Sequence, residues 1–249
     1  MNKKFESTSE YSKEVLKRFE SMAGKYSKVE IFNDWLDWNT ASMQAWCGKG
    51  YDAYYDVLVK CNTKYNVDEL KQFDDIAKLV QEGVEKCEQD VLATVFMQVQ
   101  PNKKLRQEFT PSCLCELMDV LTNNDENVKR AIAENGYCRV DEICCGSGGI
   151  SIAKCKGLKS RGIDMDKVFF LASDIDKRCC QMAVLQFTYM GMKAKVIQQD
   201  VLLLKTYGEY ETLQLAYSQM EEWEKIARIA MVGKIETEAR EAVLKKKGA

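Results

Sequence analysis

The spacing of apolar and polar positions divides the chain into two regimes. Through residues 1–100 apolar side chains recur three and four apart with almost no breakers, the period of helices that bury one face. Ser9–Met22 places Val15, Leu16 and Phe19 on one side. Glu30–Trp46 carries Ile31, Phe32, Trp35, Leu36 and Trp38, a segment apolar enough to be buried. Tyr51–Tyr65 (Tyr54, Tyr55, Leu58, Val59), Leu70–Val84 and Cys87–Val99 continue the pattern. The density of Trp35, Trp38, Trp46 and the tyrosines reads as a helical packing core rather than a base-stacking surface, since large rings are mostly buried.

Pro101-Asn102-Lys103-Lys104 reads as a turn and a boundary. Thr110 is then placed as an N-cap with Pro111 in the first helical position, opening a helix through Leu114, Leu117, Met118 and Leu121. A second helix is expected over Glu126–Asn135. Beyond Gly136 the pattern changes to short apolar runs between helices. Strands are expected at Arg139–Cys144, at Val168–Ala172 (buried) and at Ala194–Gln198, with helices at Ile150–Leu158 and Lys177–Met190. Strand–helix alternation with short loops predicts an α/β fold with a parallel, right-handed sheet. Tyr210–Lys247 reads as long helix, with Leu213, Leu215, Tyr217, Met220, Trp223, Ile226, Ile229 and Ala230 set to cover a sheet face or edge. No fourth strand is expected. Three strands leave the first near an unpaired edge, a liability that this C-terminal helix or a second subunit would cover. The expected organisation is a helical domain over 1–100, a Rossmann-like core with a partial sheet over 101–208, and a helical segment over 209–249.

Composition narrows the class. With 249 residues, 46% hydrophobic and 30% charged, the chain is of ordinary globular type, and no stretch has the apolar length of a membrane span. Met1-Asn2-Lys3-Lys4-Phe5 does not lead into the apolar core of a signal peptide. Eleven cysteines without an export signal point to a reducing, cytoplasmic setting. The pairs Cys113/Cys115, Cys144/Cys145 and Cys179/Cys180 form no C-x-x-C knuckle and read as structural thiols, with no metal site expected. The absence of histidine removes Ser/His and Cys/His nucleophilic pairs. Net charge is −2, so contact with nucleic acid requires a local basic patch or a partner subunit. Lys245-Lys246-Lys247 reads as a solvated helix end.

The candidate chemistry lies in Asp141–Gly149, D-E-I-C-C-G-S-G-G. An apolar run climbs into Gly146-Ser147-Gly148-Gly149, and Ile150-Ser151-Ile152-Ala153 leaves it: strand, glycine turn, helix start. Glycine there permits positive φ and close approach of a ligand to the backbone. In open α/β sheets that crevice, beyond a strand's carboxyl end, is where ligands bind. An acid ending the second strand, Asp174 with Asp176 as the alternative, suits a ribose diol. Asp200, ending the third strand, suits an adenine amine. Together the three strand ends predict a nucleotide-like ligand.

These residues resemble a known family. Glu142–Gly149 is similar to the D/E-P-x-C-G-S-G-G cofactor motif of N6-adenine DNA methyltransferases, in the style of type I restriction–modification methylase subunits and their phage or mobile-element relatives. Arg106-Gln107-Glu108-Phe109-Thr110-Pro111 resembles their G-Q-F-F-T-P segment, Ala172–Asp176 their second-strand acid, and Gln199-Asp200 their third-strand G-D. The likeness runs over residues 85–205, and a helical domain before F-T-P also fits. It implies S-adenosylmethionine as cofactor. Phe109, Thr110 and Pro111 would line its methionine side. Glu142 would approach the ammonium, directly or through water; Gly146 and Gly148 would let the backbone close on the sulfonium end, and Cys145 and Ser147 would be among the cofactor-binding residues. Asp174 would hold the ribose, Ile175 would pack on the adenine, and Asp200 would take its amine. It also implies DNA as substrate, reached alone or through a specificity or methylase subunit. The family's [N/D/S]-P-P-[Y/F] tetrapeptide, which grips a flipped adenine, has no counterpart, because no proline follows Pro111. Ile143, Arg106, Glu108 and Gln199 also depart from the motifs. The expectation is a truncated or degenerate methyltransferase, weak or inactive alone, with no catalytic residue assignable. The rival is a non-catalytic regulator or decoy built on the same fold, or a partner subunit of a modification complex. Oligomeric state and target sequence stay open.

Overall fold

A computed structural model of the chain describes residues 7–99, 107–122 and 125–247. The expected N-terminal sequence, the Pro101–Lys104 turn with its domain boundary, and Arg106 lie outside these residues. The side chains of Trp223, Lys246 and Lys247 also lie outside them.

The first hundred residues fold as five helices: α1 (Thr8–Met22), α2 (Lys28–Trp46), α3 (Tyr51–Lys64), α4 (Val67–Cys87) and α5 (Leu92–Val99). Capping explains several starts. Ser7 and Asn66 each form a reciprocal box with a glutamate three residues on, satisfying backbone donors that the first turn leaves free. Trp35 is fully buried and its indole N–H donates to the Phe73 carbonyl at 3.0 Å, in keeping with a packing core.

Next come α6 (Ser112–Leu121) and α7 (Asp125–Asn135). Pro111 is the N-cap of α6, with φ −56° and ψ 142°, so the helix starts one residue later than Thr110 as cap would place it. No side chain bonds to this helix's first turn from the cap position.

The sheet then follows: β1 (Cys138–Ile143), α8 (Gly149–Ser160), β2 (Val168–Asp174), α9 (Lys177–Tyr189), β3 (Lys193–Asp200) and β4 (Lys205–Glu211). Its order is β1-β2-β3-β4, with the first two pairings parallel and the last antiparallel. By connectivity β1-α8-β2-α9-β3 is a Rossmann-like half sheet. Two expectations fail here. A fourth strand exists: Lys205–Glu211 pairs back on β3, with Tyr210 packed against the core. The helical C-terminus consequently begins only at Thr212, the buried N-cap of α10 (Leu213–Ser218), and resumes as α11 (Glu222–Lys247).

The strands are also half-buried rather than buried. Val168, Phe170, Ala172, Ala194 and Val196 join α8 and α9 residues such as Ile152, Leu158, Val184 and Phe187 in one core with Phe19, Trp35 and Phe73 of the N-terminal helices. On the opposite face Arg139, Asp141, Phe169, Leu171, Lys193, Lys195 and Glu209 are none of them buried. Parallel strands are usually covered on both faces; here the second face is held by ion pairs such as Lys195–Glu209 at 2.6 Å.

α11 does not cover β1. Its buried stripe, Val232, Ile235 and Ala239, packs with Ala45, Tyr54 and Leu58 of α2 and α3, while Ile226 and Ile229 face solvent. No described helix is long and apolar enough to cross a membrane.

Candidate nucleotide-type site at the strand ends

The glycine turn at the end of β1 alternates left-handed and ordinary backbone: Cys144, Gly146 and Gly148 have φ of 58°, 55° and 94°. Two of these positions require glycine for different reasons. A Cβ on Gly146 would stand 3.1 Å from the Phe109 ring, which lies over the turn and packs edge-on against Phe96 with centroids 5.5 Å apart. A Cβ on Gly148 would meet the Phe187 ring at 2.4 Å. Gly146 thus lets the F-T-P segment close over the loop, and Gly148 lets the loop sit down on α9.

Backbone bonds tie the turn to β2. Cys145 N–H donates to the Ser173 carbonyl and Gly146 N–H to Asp174 Oδ2, both at 2.9 Å. The other Asp174 oxygen accepts from Asp176 N–H at 2.9 Å. Asp176 in turn accepts from Gln107 Nε2 at 2.8 Å, fixing the chain just before Phe109. Asp176 also caps α9 through Arg178 N–H.

Asp90 and Gln186 complete the turn, and both were invisible in the sequence. Gln186, fully buried on α9, donates to Asp90 Oδ1 at 3.0 Å and to the Ser147 carbonyl at 2.9 Å. Its oxygen accepts from Val91 and Leu92 N–H at 2.8 and 3.1 Å. Every hydrogen-bonding position of that amide is used, so it clamps the α4–α5 turn to the glycine loop. Asp90 also accepts from the Ser147 hydroxyl and caps Ala93 N–H. Nothing local marks these roles, since an Asp before a helix reads only as a cap.

A cavity of about 60 Å³ opens here, lined by Asp90, Glu108, Phe109, Thr110, Glu142, Cys144, Cys145, Gly146, Ser147, Gly149 and Ile150. Of the expected set, Phe109, Thr110, Glu142, Cys145, Gly146 and Ser147 line it, and Asp174 reaches it through Gly146. Pro111, exposed at the start of α6, and Gly148, buried against α9, do not line it. Ile175 is exposed beyond the β2 end. Asp200 is apart, its Oδ1 accepting from Leu202 and Leu203 N–H at 3.0 Å in the β3–β4 turn. A larger groove of about 940 Å³ lies between α2, α3, α4 and α11, lined mainly by apolar side chains such as Trp38, Tyr54 and Val243, and none of the motif residues faces it.

Charge distinguishes the small cavity. Glu142 accepts from Ser151 N–H at 3.0 Å and from the Ser151 hydroxyl. Burial nonetheless pushes its carboxyl up to about 7, with Asp90 and Asp174 adding to the rise. Burial also raises Asp90, against the bonds from Ser147, Ala93 and Gln186. Among the described residues no lysine or arginine pairs with Asp90, Glu142 or Asp174. Three acidic side chains around one glycine turn, two of them pushed toward the neutral form by burial and none with a countercharge, favour a cation that would restore their charge. The Cys145 thiol is held protonated, raised first by burial and then by Glu142, so it is no nucleophile. All eleven cysteines are free, and no group of three or more potential ligands is placed to hold a metal among the described residues.

No protein family and no curated protein matches the chain. Among solved structures it is similar to a protein of Listeria monocytogenes, provisionally described as a class I S-adenosylmethionine-dependent methyltransferase. The identity is 15%, over 84% of this chain and 69% of that one, with a TM-score of 0.38. A likeness at that level carries no argument about what this chain binds or does.

Proposed function

We propose that the chain binds S-adenosylmethionine at the ends of β1 and β2 and is related to adenine-specific DNA methyltransferases of restriction–modification type. The observation that carries this is the uncompensated set Asp90, Glu142 and Asp174 around the glycine turn. The ligand bears an ammonium and a sulfonium against one carboxylate, a net cation of the kind such a set attracts. Glu142 and Asp90 are placed for the ammonium, and the turn's backbone, opened by Gly146, for the sulfonium end. Phe109 and Thr110 roof the methionine portion, with Pro111 fixing the segment's entry into α6. Asp174 serves the ribose hydroxyls, each of its oxygens keeping a lone pair beyond its backbone bond. Ile175 offers an apolar surface to the adenine, and Asp200 Oδ2 is the oxygen left for its amine. A cavity of about 60 Å³ holds only the small end of such a ligand, so the adenosine lies in the open crevice. When bound, the cofactor supplies an electrophilic methyl group; the chain's own residues bind and orient it.

A second reading rests on the sheet. After β3 the chain turns back as antiparallel β4 instead of crossing to β1's free side, and no Pro-Pro tetrapeptide follows. This favours a cofactor-binding subunit that methylates weakly or not at all alone and reaches DNA through a specificity or methylase partner. A regulator or decoy that retains the cofactor site is the limiting case.

Calorimetric titration with S-adenosylmethionine tests the binding claim, with Asp174→Ala as the comparison. Saturable binding lost in the variant supports it; no heat with the folded wild-type chain sinks it. Tritiated methyl transfer to unmodified DNA tests the second part, and robust turnover by the chain alone overturns inactivity.

A further inference from the structure

The sheet has two edges of different construction, although β1 also carries charges of its own in Arg139, Asp141 and Glu142. β4 carries Lys205 and Gly208 and pairs across a bulge between Gln198 and Gln199, devices that blunt an edge. β1 has six residues, no proline, glycine or lysine, and pairs in unbroken register with β2 from Cys138 to Ile143. Among the described residues no strand lies on its other side. Backbone donors and acceptors on such an edge are a template for another strand.

Beside this edge α6 packs with its polar side inward. Asp119, buried, pairs with Lys154 of α8 at 3.1 Å and with Arg161, which caps that helix, at 2.7 Å. Leu114, Leu117, Met118 and Leu121, spaced as one helical stripe, all face solvent, Leu121 being 74% exposed. α8 is tied to β1 by the bond from Ser151 N–H to Glu142, and α7, which leads into β1, also packs on that strand. α6, on the flank of α8, therefore borders the β1 side of the sheet.

We infer that β1 pairs antiparallel with β1 of a second copy of this chain, joining two sheets into one of eight strands. Charge complementarity selects this occupant. Arg139 and Asp141 share the sheet face away from the helices, with side chains 56% and 49% exposed, and pair with each other at 3.0 Å within one copy, so a facing copy running the other way presents the same two charges exchanged. With Val140 on the twofold axis, Arg139 of each copy stands directly across from Asp141 of the other. Val140 faces itself, and Cys138 faces Glu142. An axis normal to the sheet keeps the helices of both copies on one face and turns the two α6 stripes toward each other, an isologous contact. The inference does not depend on what the glycine turn binds.

Single reversals break it in a way that only self-pairing can mend. Arg139→Asp makes every charge on this face of β1 acidic, and Asp141→Arg makes every one basic. Like charges across a strand pair are destabilising. Sedimentation velocity of the full chain from about 1 to 100 µM is expected to show a wild-type dimer. Each single variant should dissociate at least about tenfold more readily, since two cross-strand pairs turn repulsive at once. An equimolar mixture of the two variants, and the double variant Arg139→Asp/Asp141→Arg, should each recover the dimer. Leu117→Asp should weaken it without recovery in any mixture. Both charged side chains are exposed, so unchanged circular-dichroism melts certify folding. A wild-type monomer throughout the range overturns the inference and leaves the edge to a different polypeptide. Single variants that dimerise like wild type, or a mixture that stays monomeric, overturn the register.

Discussion

The ends of β1 and β3 lie on one margin of one sheet, yet they are built differently. At β1 the turn is locked from four sides: Phe109 above, Phe187 below, Gln186 and Asp90 behind, and Asp174 from β2. At β3 the chain runs through Asp200 into Leu202, Leu203 and Leu204, exposed by 91%, 73% and 86%, with Leu204 left-handed at φ 52°. One end is held by side chains from four elements and has less left to order on binding; the other is held mainly by a single carboxylate capping its own turn. Polar groups that must meet a cation are set by burial, whereas an apolar, exposed turn becomes ordered by what covers it. Under the proposed function, the amino-acid end of S-adenosylmethionine is accordingly expected to carry most of the affinity, and its adenine end little.

The largest effect should come from the tight end. Gly148→Ala combines a left-handed backbone with a Cβ 2.4 Å from Phe187 and should cost about 3 kcal/mol of folding stability. Urea denaturation measures it, and a loss below about 1 kcal/mol means that the loop has room to move. Next are the carboxylates. Glu142→Gln, Asp90→Asn and Asp174→Ala should each weaken S-adenosylmethionine by about tenfold or more, the worth of a charge-assisted contact. Equal affinity for the neutral thioether product and the sulfonium, in wild type, would contradict the role given to charge.

A smaller effect separates the protonation states. In the folded chain Glu142 titrates at about 7, against 4.5 for the free carboxyl, so between those values the folded state holds the extra proton. Its contribution to stability is therefore present below about 4.5 and declines as pH rises through about 7. Affinity for a cation runs the other way and should rise several-fold from about pH 6 to 8; Glu142→Gln should flatten that rise. Smallest is Asp200→Ala, expected to change affinity by less than about threefold. A loss as large as that of Asp174→Ala would show that the β3 end is as much a part of the site as β1.

What was legible in the sequence follows from local rules. The strand–glycine turn–helix at Arg139–Leu158, the acids closing β2 and β3, and the aromatic helical core of the first hundred residues each depend on short-range pattern. β4 was missed because Lys205–Glu211 is mostly polar and exposed, and an edge strand without a buried stripe looks like loop or helix start. The long C-terminal helix was recognised, but its partner was not: the choice of α3 over β1 lies in the match of Val232, Ile235 and Ala239 to Tyr54 and Leu58. Asp90 and Gln186 show the limit most clearly, being 96 residues apart and joined by one hydrogen bond.

By itself the sequence determined that three strand ends would face one margin with glycine at the first and acids at the next two, because backbone periodicity and turn chemistry are local. Only the tertiary structure decided which acids share a cavity, which strand edge is left open, and that Asp90 belongs to the site. Those outcomes depend on distances between residues far apart in the chain, and burial and electrostatics act through such distances, whatever the order of residues along the chain.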